Sequence, residues 1–303
     1  MADARRSPRC YTRGTVIHMG RPAAALEPFV RGYVQLDGAL SGRPIVVPIP
    51  ARSAPVLEFT LGDPHDVLFT EHAGRETAHP CNIVGVQTYR RVALSMQGRL
   101  EGFVVLFQPG GLSALIGVPV DTLTNRHEDG RAVCGAWVGE LRDRLGTSSS
   151  FAERVGHADQ CLLRRRPAPS VHRGVAAAAR ALLVRRGALR ISQLVEQSGL
   201  SARQFERRFA AHVGMSPKLF ARVVRFEAAL KRKKQVPGLR WTEVAHELGY
   251  HDQMHMVHDF SLLAGATPST IAPELDVIVN EESATERAPG RPRLRVSLHP
   301  LLV

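Results

Sequence analysis

Three charged side chains in one short segment have the types and the spacing to contact nucleic-acid bases. Arg203, Glu206 and Arg207 follow the turn Gly199-Leu200-Ser201. Glycine there favours the end of one helix, and serine favours the cap of the next. An arginine donates two hydrogen bonds to guanine, and a glutamate accepts one from the amine of cytosine. The alternative is an intrahelical salt bridge that needs no DNA.

The helix that positions these charges must bury its other side. Phe205 and Phe209 are four residues apart, so both lie on one helical face, opposite the charged residues. Gly214 is predicted to end this helix, and Ser216-Pro217 to begin the next one. A basic helix that buries two aromatic residues after a glycine-containing turn is typical of the second helix of a helix-turn-helix.

The same order of residues returns about fifty positions later. Phe209 and Phe260 are 51 residues apart, whereas Gly199 and Gly249 are 50 apart, so the second turn carries one extra residue. A duplicated unit at this period indicates a repeated structural module. The sequence therefore predicts two helix-turn-helix units, with Met256 and Phe260 in the core of the second.

The pattern G-L-S-x-R-x-F-x-R-x-F-x-x-x-x-G-x-S-P, followed by G-Y-x-D-Q-x-H-x-x-x-D-F-x-x-x-x-G-x-T-P, resembles the AraC/XylS family of transcription regulators over roughly residues 172–274. The resemblance implies a bipartite DNA-binding domain whose two recognition helices enter successive major-groove segments. The base-facing positions that it implies are Arg203, Glu206, Arg207, Met254, Val257 and His258. Because the family usually has arginine where His258 stands, we expect a strong first reader and a weak second one.

Positive charge is concentrated in the same region. The net charge is +12, yet residues 1–150 balance to +2 and residues 172–272 to +9. Charge alone also fits a solvated basic face, but together with the repeated units it favours double-stranded DNA as the partner. The predicted phosphate or auxiliary contacts are Ser201, Arg208, Arg222, Arg225, Lys231, Lys233, Lys234, His251 and His255.

Residues 20–130 have a different residue pattern. Short apolar segments rich in branched residues, such as 56–61 and 102–107, are bounded by Gly, Pro, Asp or Asn, which predicts a small β-barrel or sandwich. A longer amphipathic helix is expected over Ala132 to Leu145. The stretch Pro109 to Pro119 is similar to the cupin-like amino-terminal domains of some AraC-type regulators, which implies a sensory or dimerising role.

The predicted fold class is therefore multidomain α+β. A β-rich, cupin-like amino-terminal domain precedes an all-α domain with two helix-turn-helix motifs joined by a linker helix. The expected boundaries are 1–163 for the β-rich domain, 164–171 for a proline- and arginine-rich linker, 172–274 for the DNA-binding domain and 280–303 for a disordered tail. The Gly-Arg-Pro sequence within 288–293 also allows a minor-groove contact as an alternative.

Two histidine groups have spacings that allow metal binding. His251, His255 and His258 are spaced i, i+4 and i+7, and His65, His72 and His79 precede Cys81. The first group also fits an exposed recognition helix, and the second lacks the usual cupin histidine pattern. No metal and no cofactor are therefore expected.

Other functions have weaker support. The sequence has no nucleophile elbow, phosphate loop or dinucleotide fingerprint, so an enzyme is not expected. A DNA-repair methyl-transfer function would need clustered cysteines, whereas the four cysteines are widely spaced. A protein-interaction or architectural protein with a degraded second reader stays open.

The expected setting and partners follow from the same observations. Isolated cysteines and the lack of an apolar span or signal segment favour the cytoplasm, with no membrane contact. Besides DNA, the candidate partners are RNA polymerase, a small-molecule effector and a second copy of the chain.

Overall fold

The structure, a computed structural model, describes residues 12–165 and 172–275. Its amino-terminal part is built on one antiparallel sheet. The described strands are β1 (Thr12–Gly20), β2 (Val30–Ile49), β3 (Val56–Thr60), β4 (Asp66–Phe69), β5 (Arg75–Thr77), β6 (Cys81–Val84), β7 (Val92–Phe107) and β8 (His127–Asp129). They are arranged in the order β1-β2-β7-β3-β6-β8, with β4 also paired to β7 and β5 paired to β4.

Two long strands hold this sheet together. β2 and β7 pair from Val30–Phe107 to Ile49–Val92, with a shift of register between Leu40 and Ile45. One half of β7 also pairs with β3 and the other half with β4. β7 is therefore the strand on which both ends of the sheet are built.

The two faces of the sheet bury different groups, because successive side chains of a strand point to opposite sides. On one face Phe103 lies 5.6 Å from Tyr33 and 6.2 Å from Phe151, measured between ring centroids. On the other face Val56 and Val104 belong to a smaller apolar cluster. The predicted β-rich amino-terminal part is confirmed.

Four helices complete this part. They are α1 (Gly111–Ile116), α2 (Gly130–Cys134), α3 (Trp137–Thr147) and α4 (Phe151–Leu163). The single helix predicted over Ala132 to Leu145 is wrong, since the structure divides it between α2 and α3. Gly135 lies between them with a φ of 95°, a conformation that ends a helix and that glycine adopts without steric cost.

The remaining described residues are helical, as predicted. The helices are α5 (Arg173–Val184), α6 (Ile191–Ser198), α7 (Ala202–Val213), α8 (Pro217–Gln235), α9 (Trp241–Glu247), α10 (Gln253–Ala264) and α11 (Pro268–Leu275). The linker helix α8 contacts both helix-turn-helix units through aromatic pairs. Phe220 lies 5.6 Å from Phe209 of α7, and Phe226 lies 4.7 Å from Phe260 of α10.

The two parts of the chain meet through hydrogen bonds at residues 51–53. The Ser53 N–H and hydroxyl donate to the two oxygens of Glu227 on α8, at 2.6 and 2.7 Å. The Ala51 N–H donates to the carbonyl of Leu263 on α10, at 2.8 Å. Burial raises the pKa of the Glu227 carboxyl, and the hydrogen bonds from Ser53 oppose that shift.

Some of the predicted segments lie outside the residues that the structure describes. The tail predicted at 280–303 and residues 166–171 of the predicted linker lie outside the described residues, and the domain boundaries stay a prediction. Among the helices that the structure does describe, none is both long enough and apolar enough to cross a bilayer.

We expect Glu227→Ala to lower the free energy of unfolding by about 1–3 kcal/mol, because it leaves the buried Ser53 donors without an acceptor. Denaturant unfolding of the full chain measures this change. Glu196→Ala, at an exposed position on α6, is the matched control and should leave the midpoint unchanged. Equal midpoints for the two variants would show that the hydrogen bonds to Glu227 do not hold the parts together.

Candidate nucleic-acid interface

The turn before α7 fixes where the first recognition helix begins. Gly199 has a φ of 68° and ends α6 in the left-handed conformation. Ser201 then accepts a hydrogen bond from the Gln204 N–H at 3.3 Å, while the Gln204 side chain accepts one from the Ser201 N–H at 3.2 Å. This reciprocal capping satisfies backbone donors that the first turn leaves unpaired. The predicted turn and cap are confirmed.

α7 separates an apolar face from a charged one. Phe205 and Phe209 are buried, whereas Arg203, Glu206 and Arg207 are exposed. Within the described parts of the chain, none of these three charged side chains has a hydrogen-bonded or ion-paired partner. The intrahelical salt bridge considered as the alternative is therefore not formed there, and the three side chains are available to a ligand of opposite polarity.

The second unit repeats this construction with different side chains. Asp252 caps α10 by accepting from the His255 N–H at 2.7 Å, three residues after Gly249. In the first unit the cap follows its glycine by two residues, so the predicted extra residue lies in this turn. Met254 is 71% exposed and His258 is also exposed, while Val257 is half-buried. The predicted base-facing positions of α10 thus carry two apolar side chains and one histidine.

The residues predicted to lock each recognition helix in place are all in the core. Phe205, Phe209, Met256 and Phe260 are each at most 1% exposed. Their burial against α8 and the neighbouring helices fixes which side of α7 and of α10 faces outward.

The histidines at the second unit do not share one helical face. α10 begins at Gln253, so His251 lies before its cap, and its Nδ1 lies 3.2 Å from Asp252 Oδ2. The His255 ring meets the Tyr250 ring edge-on at 5.6 Å. The spacing considered for a metal site is therefore interrupted. In the described ranges, no three His, Cys, Asp or Glu side chains are grouped closely enough to hold a metal ion.

Two arginines of α8 that were predicted to contact phosphate have partners inside the protein. Arg222 donates to Asp259 through Nε at 3.0 Å and Nη2 at 2.7 Å, and Asp259 is 1% exposed. Arg225 donates to the Gly187 carbonyl at 3.0 Å, and its guanidinium lies 5.2 Å from the centroid of the Tyr250 ring. These contacts tie α8 to α10 and to the residue Gly187 that follows α5, and the phosphate contact of the two arginines stays a prediction.

The lysines at the end of α8 also differ in their exposure and in their contacts. Lys231 is exposed. Lys233 donates to the carbonyls of Pro237 and Leu239, each at 2.7 Å, and lies 5.4 Å from the Trp241 ring centroid. Lys233 thus closes the turn between α8 and α9, and its phosphate contact stays a prediction. Arg208 is half-buried on α7.

A protein-family model described as a helix-turn-helix domain (HTH_18) matches residues 194–272, which run from α6 into α11. This match covers both capped turn-helix units and the linker helix between them. This part of the chain is an AraC-type helix-turn-helix domain of the kind found in DNA-binding transcription regulators. A second model, a domain of unknown function (DUF6597), matches residues 18–129 and so covers the described sheet from within β1 to β8.

Solved structures resemble this chain only distantly. ToxT from Vibrio cholerae O395 is 8% identical, with 78% of this chain and 96% of ToxT covered and a TM-score of 0.45. The AraC-like transcriptional activator CuxR is 11% identical, with 69% and 84% covered and a TM-score of 0.27. At these identities and scores, neither likeness carries an argument about what the present chain binds. No curated protein matches its sequence.

We expect Arg222→Ala to lower the free energy of unfolding by about 2–4 kcal/mol, because it leaves the buried Asp259 carboxylate without its cationic partner. Denaturant unfolding measures this loss. Lys218→Ala removes a charge at an exposed position of the same helix and is the control, with little expected effect. If Arg222→Ala instead keeps full stability and lowers the salt dependence of DNA binding, Arg222 is a phosphate contact after all.

Proposed function

We propose that this DNA-binding regulator reads two adjacent major-groove segments, one with α7 and one with α10. The observation that carries the proposal is the pairing of two capped helices on one linker helix, each with its apolar side locked in the core and its outer side exposed. An α-helix fits the major groove, and base edges there present a distinct pattern for every base pair.

The two helices differ in what they offer the bases. Arg203 and Arg207 present guanidinium groups that suit guanine, and Glu206 presents an acceptor that suits cytosine. Met254 and Val257 present apolar surface that suits the methyl group of thymine, and His258 adds one polar group. We infer that α7 supplies most of the discrimination and that α10 adds weaker, shape-dependent contacts.

Affinity and specificity come from different residues in this proposal. Residues 172–272 contain 16 Lys and Arg against 7 Asp and Glu, and such an excess attracts any DNA and weakens with salt. Lys231 and Lys218 are exposed cations on α8 that remain available for phosphate. Ser201 and Asp252 cap the recognition helices, so their part is to orient the reading side chains.

The amino-terminal part is proposed to sense a small molecule and to act on the DNA-binding part. The supporting observation is the set of hydrogen bonds that join Ala51 to α10 and Ser53 to α8. Binding to RNA polymerase and pairing with a second copy stay predictions, as does the cytoplasmic location.

Footprinting of the full chain on genomic fragments at physiological salt tests the proposal. Protection over about two helical turns supports docking of both units. Protection over one turn leaves α10 without a reading role, and uniform binding without a footprint favours the protein-interaction alternative.

Arg207→Ala should cost about 1–3 kcal/mol at the true site and relax discrimination there, because a bidentate contact to one base is lost. Binding titrations on the footprinted site and on random DNA measure the difference. Arg180→Ala removes the same charge from an exposed position on α5 and should weaken both DNAs equally. An equal loss on both DNAs for Arg207→Ala would contradict a base-reading role.

Met254→Glu should remove protection from one end of the footprint while the part bound by α7 stays protected, because the new carboxylate replaces an apolar contact to the bases and is repelled by the adjacent phosphates. Footprinting at nucleotide resolution shows this directly. Leu262→Glu makes the same change at an exposed site eight residues further along α10 and should leave the footprint intact. An unchanged footprint for Met254→Glu would place α10 outside the groove.

A further inference from the structure

A cavity of about 80 Å³ lies within the amino-terminal part, against the sheet face that carries Val56 and Val104. Its apolar lining includes five valines from β3, β4, β6 and β7, and its polar lining consists of Arg52, Glu58, His65, Asn82, Gln87 and His127. Since one water requires roughly 10–15 Å³ by this kind of measure, the space suits a molecule of about six non-hydrogen atoms. The cavity thus combines an apolar wall with polar side chains at fixed positions.

Two of these polar side chains are buried and unpartnered. Arg52 is 7% exposed and Gln87 is 6% exposed. Neither Arg52 Nε nor Gln87 Oε1 has a hydrogen-bond partner, and within the described residues the Arg52 guanidinium makes no ion pair and no side-chain hydrogen bond. A buried donor or acceptor left unpaired costs about 1–3 kcal/mol. A ligand that supplies the missing partners recovers that cost.

Backbone hydrogen bonds fix the positions of Arg52 and Gln87 relative to each other. The Arg52 N–H donates to the Gln87 carbonyl at 2.9 Å, and the Gln87 N–H donates to the Arg52 carbonyl at 3.1 Å. This reciprocal pair is an isolated antiparallel bridge between two loops. A ligand with one acceptor and one donor therefore meets a rigid pair of complementary groups.

The Arg52 guanidinium is a cation at neutral pH. Burial lowers the pKa of Arg52 to about 10, and the negative charges of Glu58 and Glu227 oppose the shift. Glu58 has another neighbour, since its Oε1 lies 3.9 Å from His65 Nε2. Within the described residues neither the Glu58 nor the Glu227 carboxylate lies within ion-pair distance of Arg52, so its guanidinium has no anion in direct contact.

A second cavity adjoins the inner one. It has a volume of about 160 Å³ and shares Gln87, Val92 and His127 with it. Arg91 and Arg126 line it together with Glu76 and Glu128. Each of these arginines lies 3.7 Å from a carboxylate, Arg91 from Glu71 and Arg126 from Glu128.

Residues 51–53 connect the cavity to the DNA-binding part. Arg52 lines the cavity, while its neighbour Ala51 bonds to Leu263 of α10 and its neighbour Ser53 bonds to Glu227 of α8. A ligand that moves the Arg52 side chain or its backbone acts within one residue of both contacts.

We propose that the inner cavity binds a small hydroxycarboxylate, whose carboxylate pairs with Arg52, whose hydroxyl donates to Gln87 and whose short carbon chain packs on the valines. Occupancy shifts the contacts of Ala51 and Ser53 and thereby changes DNA affinity. This regulatory half rests on the proposed function above, whereas the binding half does not.

Calorimetric titration of the full chain without DNA tests the binding half. The probes are lactate and 3-hydroxybutyrate, with lactamide as the uncharged match and propionate as the match without a hydroxyl. For a ligand of this size we expect a Kd of roughly 1 mM or tighter for the hydroxycarboxylates, weaker binding of propionate and none of lactamide. No binding of either hydroxycarboxylate, or equal binding of lactamide, overturns the proposal.

Variants locate the site. Arg52→Gln should weaken lactate binding at least tenfold, while Arg21→Gln, at an exposed arginine of the same part, should leave it unchanged. If Arg52→Gln fails to fold, Gln87→Leu serves instead, because it removes an unpartnered acceptor. It should weaken lactate but not propionate. Unaltered lactate binding in the folded variants shows that the ligand lies elsewhere and overturns the assignment.

DNA titrations with and without the bound hydroxycarboxylate test the regulatory half. We expect at least a fivefold change in DNA affinity, the lower end of ordinary allosteric coupling. Arg52-dependent binding with unchanged DNA affinity supports the site and overturns its coupling to DNA. A wild-type protein that binds the hydroxycarboxylate and gives no footprint under any condition overturns the proposed function and leaves the binding site standing.

Discussion

The arrangement of the DNA-binding part depends on the burial of α8. This helix packs Phe220 against Phe209 of α7 and Phe226 against Phe260 of α10. Six residues separate the two phenylalanines, which corresponds to about 9 Å along the axis and about 120° around it. The two recognition helices are therefore held at different heights and on different sides of one rigid rod. Neither can turn its outer face without breaking an aromatic contact in the core.

The sequence predicts those features whose signals are local. Gly199, Ser201 and Gln204 define the first turn within six residues, and the repeat at Phe260 shows that the unit is used twice. The boundary between α2 and α3 and the full length of β7 are missed. The boundary between α2 and α3 is set by a single glycine, and the length of β7 is set by its pairing with three different strands. Neither leaves a short-range pattern in the sequence.

Three arginines show most clearly that a sequence pattern does not reveal the partner of a side chain. Arg207 is exposed and its side chain has no partner among the described residues, Arg222 is paired with buried Asp259, and Arg52 is buried with an unpartnered Nε. The predictions treated Arg222 and Arg225 like Arg207, because helical spacing shows which residues share a face but not what packs against it. Asp259 lies 37 residues from Arg222, and no local pattern links them. Arg52 attracted no prediction, since its environment comes from strands distant in sequence.

The contact made by residues 51–53 lies where it acts on α8 and α10 at once. Glu227 is one residue from Phe226, which contacts α10, and Leu263 lies in the last turn of α10 itself. Burying the Glu227 carboxylate is costly, and its hydrogen bonds from Ser53 offset that cost only while residues 51–53 keep their position. A shift of this segment therefore changes the energy of α8 and α10 together. Because α8 also packs against α7, such a shift first alters the orientation of α7 relative to α10.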